Sequence, residues 1–156
     1  MNPAPKGTPA IPTKNPPQPV MLWGAQVAGT IAIALAVYFF LGNAAPLIRG
    51  VDPEWTQHGF VGILAMSLPA LWYLRTFKRA LDADIAAARA RSGAPDPLLR
   101  NELLRRLSIG GALCELPLAL GVIYLLAGGE KRWFIGAACI TLALRLSYRP
   151  FTKLAR

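Results

Sequence analysis

The residue best placed to do chemistry in this chain is Glu115. It lies in the string Gly110-Gly111-Ala112-Leu113-Cys114-Glu115-Leu116-Pro117, within the apolar run 107–128, and is the only acidic side chain in any apolar run. A carboxyl at the centre of a bilayer costs roughly 2.5 kcal/mol or more unless it is neutral, paired or facing water. Two chemistries fit such a group. In one, a neutral Glu115 donates a hydrogen bond and locks helices together. In the other, it exchanges a proton, or holds a cation, on a path across the membrane.

Depth along the helices names the candidate partners. At 1.5 Å per residue, Glu115 lies about 13 Å from Arg106, near the midplane, and Ser67 lies about 12 Å above the basic boundary at Arg75. Thr30 and Thr141 fall at similar depth, so three hydroxyls from three other apolar runs share the layer of Glu115. Gln26 and Arg145 lie nearer the basic side, from which Arg145 either extends upward into an ion pair with Glu115 or snorkels to the surface. Pro69 and Pro117 free the carbonyls of Ala65 and Leu113 as further acceptors.

The string 109–129, IGGALCELPLALGVIYLLAGG, resembles the carboxylate-bearing helix of rotary ATPase proteolipids, the c subunits. Ile109-Gly110, Ala112-Leu113, Glu115, Pro117-Leu118 and Gly121-Val122 carry the resemblance. It implies that Glu115 is a proton- or sodium-binding carboxylate. The likeness is confined to this helix: the preceding apolar run holds only Gly62 beyond Phe60, and the connector 75–106 is long.

Other residues that could do chemistry lack companions. His58 is the single histidine, and Cys114 and Cys139 have no CxxC spacing, so neither a metal site nor a cofactor is expected. The motifs GxSxG, HExxH and the P-loop are absent, and Ser67 lies about 13 Å along the helix axis from His58, so no enzyme is expected.

The elements that must position Glu115 are transmembrane helices. Of the 156 residues, 54% are hydrophobic and 16% charged, a profile that suits a polytopic membrane protein. The pattern predicts an all-α fold with four spans at about 20–41, 55–74, 107–127 and 132–148. The Pro-rich stretch 1–19 reads as a disordered cytoplasmic tail and 149–156 as a basic cytoplasmic tail. The connector 75–106 begins as an amphipathic helical extension of the second span, is broken by Ser92-Gly93-Ala94-Pro95-Asp96-Pro97, and resumes as a short basic helix. Trp23, Trp55, Trp72 and Trp133 sit near run ends, as in an interfacial aromatic belt.

The net charge of +9 follows topology. Lys6, Lys14, the basic residues of 75–106, and Arg145, Arg149, Lys153 and Arg156 fall on one side of a four-span arrangement. Arg49, Lys131 and Arg132 fall on the other, so both termini are expected in the cytoplasm. No aromatic–basic interleaving accompanies the charge, so nucleic acid is not an expected partner. The expected partners are the lipid bilayer and other membrane subunits or further copies of the chain. Ala, Leu, Arg and Pro usage suits a bacterium with a high-GC genome, which places the protein in the inner membrane. Two functions follow as expectations: a structural, assembly or accessory subunit of a membrane complex, or a subunit that translocates protons or sodium ions through Glu115.

Overall fold

The computed structural model describes residues 19–42, 53–90 and 97–150. Among them every element is a helix: α1 Pro19–Leu41, α2 Pro53–Ala90, α3 Pro97–Cys114, α4 Leu116–Leu126 and α5 Lys131–Ser147. Of the expected breaker 92–97, Pro97 opens α3 and residues 92–96 lie outside the described residues, as do most of both tails and most of the connection after α1.

Three of the five helices open on proline. A first-turn residue has no intrahelical acceptor for its N–H, and the proline ring presets the helical φ, so proline is suited to that position. Pro69 instead lies inside α2, which runs 38 residues without a break. Interior proline is tolerated where neighbouring groups satisfy the disturbed backbone. Next to it, the Tyr148 hydroxyl donates to the Ala70 carbonyl.

Proline has a larger effect at Pro117. With no N–H on Pro117, the ladder lapses at Glu115, whose own N–H bonds the Ala112 carbonyl at 3.2 Å. Helical bonding resumes with Ala119 N–H to Glu115 O at 2.9 Å. The φ and ψ of Glu115, −78° and −15°, stay helical, so α3 and α4 form one interrupted rod.

α1, the stretch His58–Ala87 and the rod Pro97–Leu126 are each long and apolar enough to cross a membrane. α5 is not among them. Its 17 residues rise about 25 Å, it opens on Lys131-Arg132, and it contains Arg145. It turns back along α4 through a tight connection in which Gly128 N–H bonds Leu125 O at 3.1 Å and Gly129 N–H bonds Tyr124 O at 3.0 Å. This Schellman arrangement needs a left-handed residue, and Gly128 supplies it at φ 87°.

Two apolar clusters join the helices. Ala70, Phe77, Leu103, Leu107, Cys114, Leu144 and Tyr148 form one, and Leu118, Leu125 and Phe134 the other. α1 touches both, through Leu22 and Trp23 at one end and Ala34, Val37 and Leu41 at the other. Most of its remaining surface is open, including Ile31, Ile33, Leu35, Phe39 and Phe40. Among the described residues, α1 rests on α3, α4 and α5 and not on α2.

Candidate functional site: an ion pair that clasps three helices

α1 is apolar on every side, and Gln26 and Thr30 are its only polar side chains apart from the aromatics. Their spacing of four residues puts them on one face, with Trp23 one turn before Gln26. That face meets the interruption between α3 and α4 and the last turn of α5. Thr30 is the one fully buried residue of α1.

The centre of the site is the pair of Glu115 and Arg145. Nη2 of Arg145 donates to Oε1 of Glu115 at 2.5 Å. The same carboxylate oxygen lies 2.6 Å from the Thr30 hydroxyl, and the Gln26 carbonyl lies 3.0 Å from that hydroxyl. A hydroxyl has one hydrogen to give, and the carboxylate is both the nearer and the stronger acceptor. Nη1 of Arg145 donates to Gln26 Oε1 at 2.7 Å. The Trp23 indole N–H donates to the main-chain carbonyl of Arg145 at 2.9 Å. Three side chains of α1 are thereby tied to one residue between α3 and α4 and to one residue of α5.

Glycine makes the room. A Cβ on Gly111 would lie 2.5 Å from Nη1 of Arg145 and 2.9 Å from Gln26 Oε1, so the guanidinium lies directly against the α3 backbone. One helical turn separates Gly111 from Glu115, and the same α3 surface therefore supplies both the space and the counter-charge.

The pair is asymmetric. The Arg145 side chain is 6% exposed and that of Glu115 32%. Arg145 Nε is buried without a hydrogen-bond partner, and so is Thr141 Oγ1, one turn earlier on the same face of α5. Cys114, beside Glu115, is a buried free thiol, and Cys139 is an exposed free thiol.

The structure places each residue of the expected layer. Glu115 Oε1 accepts hydrogen bonds from the Arg145 guanidinium and the Thr30 hydroxyl. Of the three expected hydroxyl partners, Thr30 alone reaches it. Ser67 donates to Leu64 O at 2.6 Å, because a helical serine readily bonds back into its preceding turn. Thr141 is buried away from any hydrogen-bond partner. Arg145 extends to Glu115 instead of snorkelling, since Gly111 gives its head group a place inside the bundle.

Sequence reasoning left Gln26 and Trp23 out of the site. The readable signal was the presence of just two polar, non-aromatic side chains in α1, four residues apart. His58 is exposed and takes no part. Among the described residues no group of three or more metal-ligating side chains occurs.

The fold and site define an all-helical protein with three helices suited to crossing a membrane, clasped by an ion pair whose arginine is buried. No protein-family model, curated protein or solved structure matches the chain.

The contrast between two glycines tests the geometry. Gly111→Ala pushes a methyl group into Arg145 and Gln26, and should destabilise the bundle by about 1–3 kcal/mol, as overpacking does. Gly136→Ala, where a Cβ meets nothing within 4 Å, should be neutral or stabilising by up to about 1 kcal/mol. Unfolding of the purified protein in mixed detergent micelles reads both.

Proposed function

We propose that this chain is a multi-pass protein of the bacterial inner membrane, with four spans and both termini in the cytoplasm. In this reading it serves as a structural, assembly or accessory subunit of a larger membrane complex, and the Glu115–Arg145 clasp fixes its N-terminal span. One observation carries the proposal. Glu115 Oε1 is engaged at once by Arg145 and Thr30, so the carboxylate joins three helical segments. A carboxylate held in this way suits a lock better than a carrier, which must exchange its partner on every cycle. The alternative, proton or sodium translocation through Glu115, requires that exchange.

The four-span reading draws support from the course of α5. Its start packs beside the end of α4, and Tyr148 at its other end packs against Gly110 of α3. α5 therefore returns alongside residues 110–126 and passes through the same depth as that apolar rod. The internal charge of Arg145, which is costly in lipid, is offset by Glu115. The basic residues of 75–106 and of the C-terminal end support cytoplasmic termini. The open apolar faces of α1 and α2, with Phe39, Phe40, Val61, Leu68 and Trp72 exposed, suit lipid or neighbouring subunits.

Four experiments test this reading. Either Glu115→Gln or Arg145→Gln removes one partner and leaves the other uncompensated, and should cost about 3 kcal/mol or more in micellar unfolding. Glu115→Leu combined with Arg145→Met should recover most of that loss, giving a large coupling in a double-mutant cycle. In proteoliposomes, proton and sodium permeability should not depend on Glu115. A flux present in the native chain and lost in Glu115→Gln would overturn the lock. A fluorescent protein fused at the C-terminus should be bright and alkaline phosphatase at the same point inactive, and the reverse would exclude cytoplasmic C-terminal placement. Purification in mild detergent should return a membrane partner in fixed proportion, whereas a lone monomer would remove the subunit role.

A further inference from the structure

α2 and α5 change character at the same level. The apolar stretch of α2 ends at Leu74 and is followed by Arg75, Lys78 and Arg79, while α5 ends on Leu146 and Ser147 and is followed by Tyr148 and Arg149. Tyr148 sets the two in register. Its hydroxyl donates to the Ala70 carbonyl, and its ring lies 5.1 Å, centroid to centroid, from that of Phe77. Between the two helix surfaces runs a groove of about 520 Å³, lined by Leu74, Lys78, Leu146, Ser147 and Arg149.

We propose that this groove binds the headgroup phosphate of an anionic phospholipid. Leu74 and Leu146 form its apolar side, continuous with the hydrophobic stretches of both helices, where the upper acyl chain lies. Lys78 and Arg149, both exposed, supply two positive charges on the other side, and among the described residues none that lines the groove is acidic. The nearest acid along α2 is Asp82, one turn beyond Lys78. Ser147 directs its hydroxyl to Ala143 O at 3.0 Å, so the attraction comes from the two cations rather than from a ring of neutral donors. Arg149 also interacts within the chain, and the proposal uses its charge and exposure, not a lack of partners. Basic side chains beside an apolar wall at the cytoplasmic boundary of a helix bundle are suited to retaining acidic lipid.

The proposal rests on the reading that these helices span the membrane, and one preparation separates the two. The full chain is placed in nanodiscs of phosphatidylcholine, with or without phosphatidylglycerol, and released for native mass spectrometry. Stable insertion into pure phosphatidylcholine reports on the membrane reading alone. For the groove, one phosphatidylglycerol should be retained in preference to phosphatidylcholine. Lys78→Gln with Arg149→Gln should lower that retention roughly tenfold or more. Arg89→Gln with Arg105→Gln, an equal charge loss outside the groove, should leave it within about twofold. Lys78→Arg, which keeps the charge, should also retain the lipid. Equal loss in both double variants, or no preference for phosphatidylglycerol, overturns the site. Displacement of the lipid by millimolar inorganic phosphate overturns the assignment to a lipid headgroup.

Discussion

The arrangement of this bundle turns on a guanidinium placed inside it. Arg145 is 5% exposed near the end of a helix whose other buried neighbours are apolar apart from Thr141. A cation in that position requires a counter-charge and acceptors for its hydrogens. Glu115 and Gln26 meet the demand from two different elements, so the position of Arg145 constrains both. Ion pairs of this kind contribute little net stability compared with well-packed hydrophobic side chains, because removing both charges from water offsets most of their attraction. Their effect is on which arrangement is chosen.

α1 shows why that choice matters. An all-round apolar helix can rotate against a bundle, or against lipid, with little change in buried hydrocarbon. Its contacts through Leu22, Ala34, Val37 and Leu41 give adhesion without fixing its rotation. Trp23, Gln26 and Thr30 do fix it, because any other rotation turns Gln26 and Thr30 into hydrocarbon and removes an acceptor from Arg145. The interruption at Pro117 belongs to the same construction. It occurs at the residue that carries the carboxylate, where the ladder is already loosened, and Gly111 one turn before leaves space for the incoming guanidinium.

The helical architecture was legible because hydrocarbon imposes a length and a composition on each spanning helix; the prolines that open three helices read instead as turn and breaker signals. Glu115 stood out for the same reason, as one acid in a sequence of apolar runs. Its partners were harder to read. Counting residues gives height along a helix and says nothing about rotation, so Ser67 and Thr141 qualified by depth although their hydroxyls go elsewhere. The count puts Gln26 nearer the basic side, because it treats a residue as sitting at its Cα. An arginine spans several ångströms, and Arg145 brings Gln26 and Glu115 into one network across that distance. The reach of the longest side chain, rather than the level of the carboxyl, sets the thickness of the polar layer.

This reach also explains the asymmetry of the pair. The guanidinium has five hydrogens and a fixed planar fork, and the buried position suits it because Gln26 and Glu115 approach two of its nitrogens from separate helices. The carboxylate has fewer demands. With Oε1 serving both Arg145 and Thr30, Glu115 sits at the edge of the bundle, its side chain about one-third exposed. Placing the acid outermost and the base innermost leaves the flexible, donor-rich partner enclosed by packing, and the short carboxylate as the latch that α1 covers through Thr30. A proton carrier needs the opposite arrangement, with its acid free to lose one partner before gaining the next. In this bundle, releasing Glu115 would leave the buried Arg145 guanidinium with Gln26 as its one side-chain acceptor and no counter-charge beside it.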